Sequence, residues 1–202
     1  MTLNLIAQIG VSNTAPNNDP NHLINNIFIG GGVAASNISY SGNNQQIGYF
    51  ASGASIGMPE GIVMTSGYAL AADLGGNPAT TFPGTSCPNT PNTICNDLDL
   101  VANSVPALLA LSFSVTSIND MCVLEFDFVP ESDTIRFNYS FGSEEYLTYV
   151  NTPFNDVFGF FISVVNILYK FLIRIRKSRF FVLENNHIRI RFMFYKLIQF
   201  FK

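Results

Sequence analysis

Residues 122–141 read CVLEFDFVPESDTIRFNYSF, and apolar side chains alternate with polar ones on both sides of the central PESD. In the first half, Glu125 and Asp127 separate the apolar residues. A period of two places every second side chain on the same face of an extended strand. The pattern therefore predicts two β-strands, at 122–129 and 134–141, each with one apolar face.

The residues between the two strands, 130–133, carry Pro, Ser and Asp, which favour tight turns. A turn at this point predicts an antiparallel hairpin. The two apolar faces must coincide, because a slip of one residue would expose one of them. The predicted register pairs Phe128 with Ile135, Phe126 with Phe137, and Asp127 with Arg136.

Short apolar runs elsewhere are separated by Gly, Asn, Ser and Pro, and they predict further strands at 27–29, 33–40, 47–50, 62–66 and 157–164. The last run is apolar on both faces, which is typical of a central strand, and Gly159 within it indicates a bulge or a close approach. One short helix is predicted near 97–110, with Asp97 or Asp99 near its start as a cap. The predicted class is all-β, an incomplete β-sandwich or jelly-roll-like fold.

The last part of the chain differs in composition. Residues 166–202 contain no Gly, Pro, Ala, Thr, Asp or Cys. Residues 1–169 carry thirteen acids and one base, whereas residues 170–202 carry nine bases and one acid. Two such segments rarely share one packed surface. We therefore expect 166–202 to lie outside the fold, as the product of a shifted reading frame or of read-through.

A second interpretation of 166–202 is a basic, aromatic segment that lies on a membrane surface. A transmembrane helix fits poorly, because Asn166, Lys170 and Arg174 interrupt the apolar run, which would need about 20 residues. At the other end, residues 1–8 resemble the end of a signal peptide, and an ordinary short strand is the alternative.

The chain has three cysteines. Seven residues separate Cys87 from Cys95, in a stretch rich in Pro, Asn and Thr. They form either a disulfide, as in proteins of oxidising compartments, or two free thiols. Cys122 falls on the apolar face of its strand and is expected to pack as a small hydrophobic residue.

Several ordered motifs resemble the choice-of-anchor L domain. They are NISYSGN (37–43), IGYF (47–50), GIVMTSG (61–67), LEFDFVP (124–130), FGSEEY (141–146) and FNDVFGFFIS (154–163). The resemblance covers roughly residues 25–163, so residues 9–165 are expected to form one domain of this type. Family members typically continue with further Gly- and Pro-containing strands and an anchor, whereas this chain enters the segment 166–202.

The resemblance implies a bacterial protein that is secreted or displayed at the cell surface. The expected function is an interaction or adhesion module without catalysis, and the expected partner is an extracellular protein or a glycan surface. The acidic segment 1–169 opposes nucleic-acid binding.

Three acids, Glu144, Glu145 and Asp156, are the best candidate cluster for chemistry. Ca²⁺ binds six to eight oxygen ligands, which carboxylates and Asn side chains supply, so this cluster is the candidate calcium site. The alternatives for the whole chain are a carbohydrate-active or proteolytic enzyme that uses the same three acids, and a gene fragment without function. The two histidines that a hydrolase triad could use are His22, in a stretch rich in Asn and Pro, and His187, in the segment 166–202.

Overall fold

The computed structural model describes residues 9–29, 33–70, 87–88, 96–108, 110–112, 114–115, 117–130, 134–135, 137–142, 157–164, 181–182, 188–195 and 198–201. All statements below concern these residues.

Strands dominate the described residues. They are β1 (Gly10–Ser12), β2 (Ala35–Ser41), β3 (Ile47–Ala51), β4 (Glu60–Thr65), β5 (Cys87–Pro88), β6 (Ser117–Ile118), β7 (Cys122–Phe128), β8 (Thr134–Ile135), β9 (Tyr139–Gly142), β10 (Val157–Val164), β11 (Phe181–Val182), β12 (Ile188–Tyr195) and β13 (Ile198–Phe201). The helices are α1 (Pro20–His22) and α2 (Asn96–Leu108), with a π-helical turn at Leu23–Phe28 and 3₁₀ turns at Asn44–Gln46 and Gly53–Ile56.

Two sheets contain most of the strands. Sheet A has the order β1-β3-β4-β13-β9, and sheet B has the order β10-β12-β7-β2. Two further strand pairs, β5–β6 and β8–β11, are separate from them. Every pairing is antiparallel. The predicted all-β class is therefore confirmed.

One hydrophobic core lies between the sheets. Sheet A contributes Ile47, Ile62 and Met64, and sheet B contributes Leu124, Phe126, Phe128, Phe158, Phe160 and Ile162. Phe137 joins the same core, with its ring centroid 4.3 Å from that of Phe160. Burial of such large apolar side chains is the main stabilising term in folding, at about 25 cal/mol for each Å² removed from water.

The outer faces of both sheets are covered as well. Helix α2 packs its buried Leu98 and Ala102 against Val123 of β7 and Phe161 of β10. On sheet A, Phe50 and Val63 pack with Ile9, Met58 and Ala69. Consecutive residues of β4 enter different clusters, which explains why this strand is apolar on both sides. In β7 only Val123 enters the α2 cluster, because Glu125 and Asp127 occupy the other positions of that face.

The predicted helix near 97–110 is confirmed by α2, but its predicted cap is wrong. Asp97 and Asp99 lie inside the helix, which begins at Asn96. Acidic residues in the first turn of a helix interact favourably with its dipole, so the sequence positions of Asp97 and Asp99 favour a helix start here.

The predicted hairpin is also wrong, although β7 and β8 fall within the two predicted strand segments and β9 overlaps the second. β7 pairs with β2 and β12, whereas β8 pairs with β11 and β9 pairs with β13. Phe126 and Phe137 are both buried, as expected. Alternation determines which face of a strand is buried, but any strand with a matching apolar face can be its neighbour.

The strands predicted at 33–40, 47–50 and 62–66 correspond to β2, β3 and β4. Residues 27–29 do not form a strand, because a helical turn runs from Leu23 to Phe28. The start signal lies upstream: Asp19 Oδ1 accepts a hydrogen bond from the backbone N–H of Asn21 at 2.9 Å, and Pro20 opens the helix.

β10 coincides with the predicted strand 157–164, but it is an edge strand of sheet B and not a central one. Its two apolar faces contact the core on one side and the α2 cluster on the other. At Gly159 the close neighbour is a side chain of the same strand, because an added Cβ would clash with the ring of Phe161.

The composition of 166–202 predicts a segment outside the fold, and here the structure differs. β12 lies between β10 and β7, and β13 lies between β4 and β9. Residues 188–195 read IRIRFMFY, which alternates with a period of two at its start. Strands pair through backbone hydrogen bonds, and alternating apolar side chains give a strand one face for the core. An unusual amino-acid composition prevents neither of these. The origin of the segment in a shifted frame stays a prediction.

Candidate functional site

Polar side chains, most of them buried, meet where β2 and β4 end and β7 begins. We call this group the polar junction: Tyr40, Asn43, Gln46, Thr65, Ser66, Asp120 and Cys122. Gln46 stands at its centre and is fully buried. Its Nε2 donates to the carbonyl oxygens of Ser66 at 3.2 Å and of Asp120 at 2.8 Å. A single side chain thereby connects the end of β4 in sheet A to the start of β7 in sheet B.

The 3₁₀ turn that precedes β3 positions Gln46. The backbone N–H of Asn43 donates to Gln46 Oε1 at 2.7 Å, while Asn43 Oδ1 accepts from the N–H of Gln45 at 3.0 Å. This reciprocal arrangement is a capping box. The pattern Asn-x-x-Gln in the sequence is its signature, so the position of Gln46 was predictable from sequence, although its burial was not.

Tyr40 connects β2 to the same turn. Its hydroxyl donates to the carbonyl oxygen of Asn43 at 2.9 Å. Gly42 lies between them with φ at 152°, and an added Cβ would lie 2.7 Å from Cβ of Cys122 and 2.8 Å from the Tyr40 hydroxyl. A residue with a side chain would therefore push Tyr40 and Cys122 apart.

Cys122 packs as a small buried residue, as the sequence predicts. Its thiol donates to the carbonyl oxygen of Thr65 at 3.6 Å, and Thr65 Oγ1 accepts from the N–H of Gly67 at 3.0 Å. Burial raises the pKa of the Cys122 thiol far above its ordinary value. Burial, and then the neighbouring Cys122, raise the pKa of Tyr40 well above its ordinary value. Both groups are therefore neutral near pH 7.

These properties define what the polar junction can do. A nucleophilic cysteine reacts as its thiolate, and a raised pKa keeps that form scarce. Amide and hydroxyl groups that are already hydrogen-bonded in a buried site join chain segments firmly, because breaking any bond leaves a buried polar atom unsatisfied. The junction is accordingly a structural connection between the two sheets.

The sequence-predicted site residues lie mostly elsewhere. Glu144, Glu145 and Asp156 fall outside the described residues, and so does Cys95. Cys87 is described only through its backbone, where it stands opposite Ile118 in the β5–β6 pair. The calcium site and the disulfide stay predictions. In the described part of the chain, no group of three or more His, Cys, Asp or Glu residues could hold a metal ion.

An exposed polar row lies on β2, the edge strand of sheet B. Ser36, Ser39 and Ser41 are exposed, while Ile38 and Tyr40 between them turn toward the core. Asn37 is also exposed and sits at an irregularity of the β2–β7 register. The row is therefore uncharged and rich in hydrogen-bonding groups.

The sequence model of the choice-of-anchor L domain matches residues 11–188. The chain belongs to the choice-of-anchor L domain family. Membership indicates a module associated with the cell surface, and the choice-of-anchor L family is not a known enzyme family. The matched span extends past residue 165, so it includes much of the segment that composition sets apart.

No curated protein and no solved structure matches this choice-of-anchor L domain. None of the helices in the described part of the chain combines the length and the apolar character that crossing a membrane requires.

Proposed function

We propose that this choice-of-anchor L domain is a secreted or surface-displayed interaction module, adhesive in role, that acts by contact and without catalysis. Family membership supports the location. The exposed polar row on β2 is the observation that carries the contact function, because its serine hydroxyl groups are uncharged and can both donate and accept hydrogen bonds.

The chemistry of the row favours partners that form many neutral hydrogen bonds. Glycan hydroxyls and the polar surface of an extracellular protein both fit this description. Serine side chains on alternate residues of one strand project from the same face, about 6.6 Å apart along the strand. Ser39 and Ser41 have this spacing, whereas the register irregularity lies between Ser36 and Ser39. The row therefore presents a short set of donors and acceptors on one strand.

The experiment compares two double variants of the full chain. In the first, Ser39→Arg and Ser41→Arg place bulky charges on the row. In the matched control, Ser112→Arg and Ser114→Arg place the same charges at two other exposed serines. Binding is measured on arrays of immobilised glycans and extracellular matrix proteins, with circular dichroism and melting to verify folding.

We expect the β2 variant to lose at least tenfold in binding while it keeps its melting temperature, and we expect the control to bind like the unmodified chain. Equal binding by the two variants, or no binding by the intact chain across the arrays, would refute the contact function of the row.

Two other assignments remain hypotheses. Hydrolysis of a polysaccharide or peptide that Glu144→Gln abolishes would establish an enzyme in place of a contact module. The calcium site at Glu144, Glu145 and Asp156 is compatible with either function, and a gene fragment without function would show neither binding nor turnover.

A further inference from the structure

The last described stretch of the chain enters both sheets. β12 (Ile188–Tyr195) is an inner strand of sheet B, and β13 (Ile198–Phe201) is an inner strand of sheet A. Only residues 196 and 197 separate them. We call residues 188–201 the clasp.

Two other strands join their sheets only through the clasp. In the described part of the chain, β10 pairs with β12 alone, and β9 pairs with β13 alone. β10 carries Phe158, Phe160 and Ile162, three buried residues of the central core. Without the clasp, these residues would lose the strand that holds them beside β7.

The clasp is also complementary to its neighbours in register. Ile190 stands opposite Phe126 of β7 and opposite Ile162 of β10, and both of these are buried. On the alternate positions, Arg189 stands opposite Asp127 and Arg191 stands opposite Glu125. Opposite charges at facing positions favour a pairing, and a slip of one residue would remove both matches.

The contacts of the clasp are distant in sequence. Ile188 pairs with Phe128, which is 60 positions earlier, and Ile198 pairs with Thr65, which is 133 positions earlier. Bringing two distant segments together lowers the entropy of the loop between them before any stabilising contact has formed. Long-range pairings therefore form late in folding. The two-residue link is at most about 11 Å long between the ends of the strands, so β12 cannot move far without displacing β13.

We infer that the clasp inserts into both sheets as one cooperative unit, and that it closes the domain by holding β10 and β9 in place. Closure of sheet A and closure of sheet B are then a single event. A chain whose clasp is displaced presents the open edges of β7 and β4.

Hydrogen exchange of the unmodified full chain tests this inference, in a series of low denaturant concentrations. Strands that open together share one free energy of opening and one denaturant dependence. We expect a single value for the amides of β9, β10, β12 and β13. Separate values for β12 and β13, or exchange of residues 188–201 at the rate of an unfolded peptide, would overturn the inference.

A variant supplies the second measurement. Ile190→Pro removes a ladder hydrogen bond donor in β12, and Lys202→Pro, immediately after β13, is the control. We expect Ile190→Pro to lower the protection of β9, in the other sheet, at least tenfold, together with that of β10. Full protection of β9 in this variant would contradict joint closure. If Ile190→Pro does not fold, the exchange pattern of the unmodified chain decides. Neither measurement depends on partner binding, so either can fail while the proposed contact function stands.

Discussion

Asn37 Nδ2 donates a 2.7 Å hydrogen bond to Oδ2 of Asp127, and this bond joins an irregularity in edge strand β2 to a buried carboxylate of β7. Asn37 adopts a left-handed backbone conformation, with φ at 51°. Asparagine tolerates this conformation better than most residues. A bulge of this kind twists an edge strand and discourages pairing with other chains.

The first prediction separates the hydrogen bond from the backbone conformation. Asn37→Gly keeps the left-handed conformation and loses the bond, so it should lower the free energy of unfolding by about 2 kcal/mol. Asn37→Ala should cost about 1 kcal/mol more, because Ala is strained at this φ. Urea denaturation measures both, with Asn119→Gly as the control for the added flexibility of the unfolded chain. An Asn37→Gly variant as stable as that control would contradict the role of the bond.

Gln46 provides the second prediction. Gln46→Leu has nearly the same size but cannot donate to Ser66 and Asp120, so it leaves buried carbonyl groups without this partner. We expect a loss of about 2–4 kcal/mol in the free energy of unfolding. Gln45→Leu, at the adjacent exposed position, is the matched control and should change stability by less than about 0.5 kcal/mol. Similar losses in the two variants would argue against the junction.

The third prediction concerns alkaline pH. Because burial raises the pKa of Cys122, the folded thiol keeps its proton where an unfolded cysteine loses it, above about pH 9. The contribution of Cys122 to the free energy of unfolding should therefore be constant below that pH and fall above it, by up to about 1.4 kcal/mol per pH unit. In Cys122→Ala the decline should begin nearer pH 10. At that pH Tyr40 starts to ionise in the unfolded chain, whereas its raised pKa keeps it protonated in the folded chain. Identical pH profiles for the two proteins would refute this account.

The fourth prediction tests the register of the clasp. Arg191→Glu places two acids at facing positions of β12 and β7, which should lower stability by less than about 1 kcal/mol. Combining it with Glu125→Arg restores opposite charges, so the double variant should be more stable than the sum of the single changes predicts. A double-mutant cycle from urea denaturation measures this coupling, and strict additivity would exclude the register.

The fifth prediction concerns calcium. If Glu144, Glu145 and Asp156 bind Ca²⁺, saturation at about a hundredfold above the dissociation constant should stabilise the folded chain by about 2.7 kcal/mol. Melting curves with Ca²⁺ and with a chelator measure this. Glu144→Gln combined with Glu145→Gln should abolish the shift, and Glu131→Gln, an acid elsewhere in the chain, should retain it. An unmodified chain that melts identically with and without Ca²⁺ has no such site.

The positions of the strands follow from the sequence more closely than the identity of the strands they pair with. The alternation in 122–128 gave both the strand and its buried face, and Phe126 lies in the core as expected. The predicted partner of Asp127 was Arg136, whereas the register places Arg189 opposite it. Local alternation carries no information on which distant strand supplies the other half of a ladder.

The polar junction could be predicted only in part. Asn43 and Gln46 have the spacing of a capping box, and this local feature is present. Gln46 also donates to residues 20 and 74 positions away in sequence. That burial depends on how the two sheets pack, which a local motif does not specify.

By itself, the sequence determined the all-β class, the faces of the main strands, helix α2 and the family, because these follow from short-range periodicity and ordered motifs. Only the tertiary structure decided that residues 188–195 and 198–201 belong to the sheets. Composition separated this segment from the rest of the chain, but strand insertion depends on backbone hydrogen bonds and on a matching apolar face. Both are supplied by neighbours that lie between 24 and about 140 positions away.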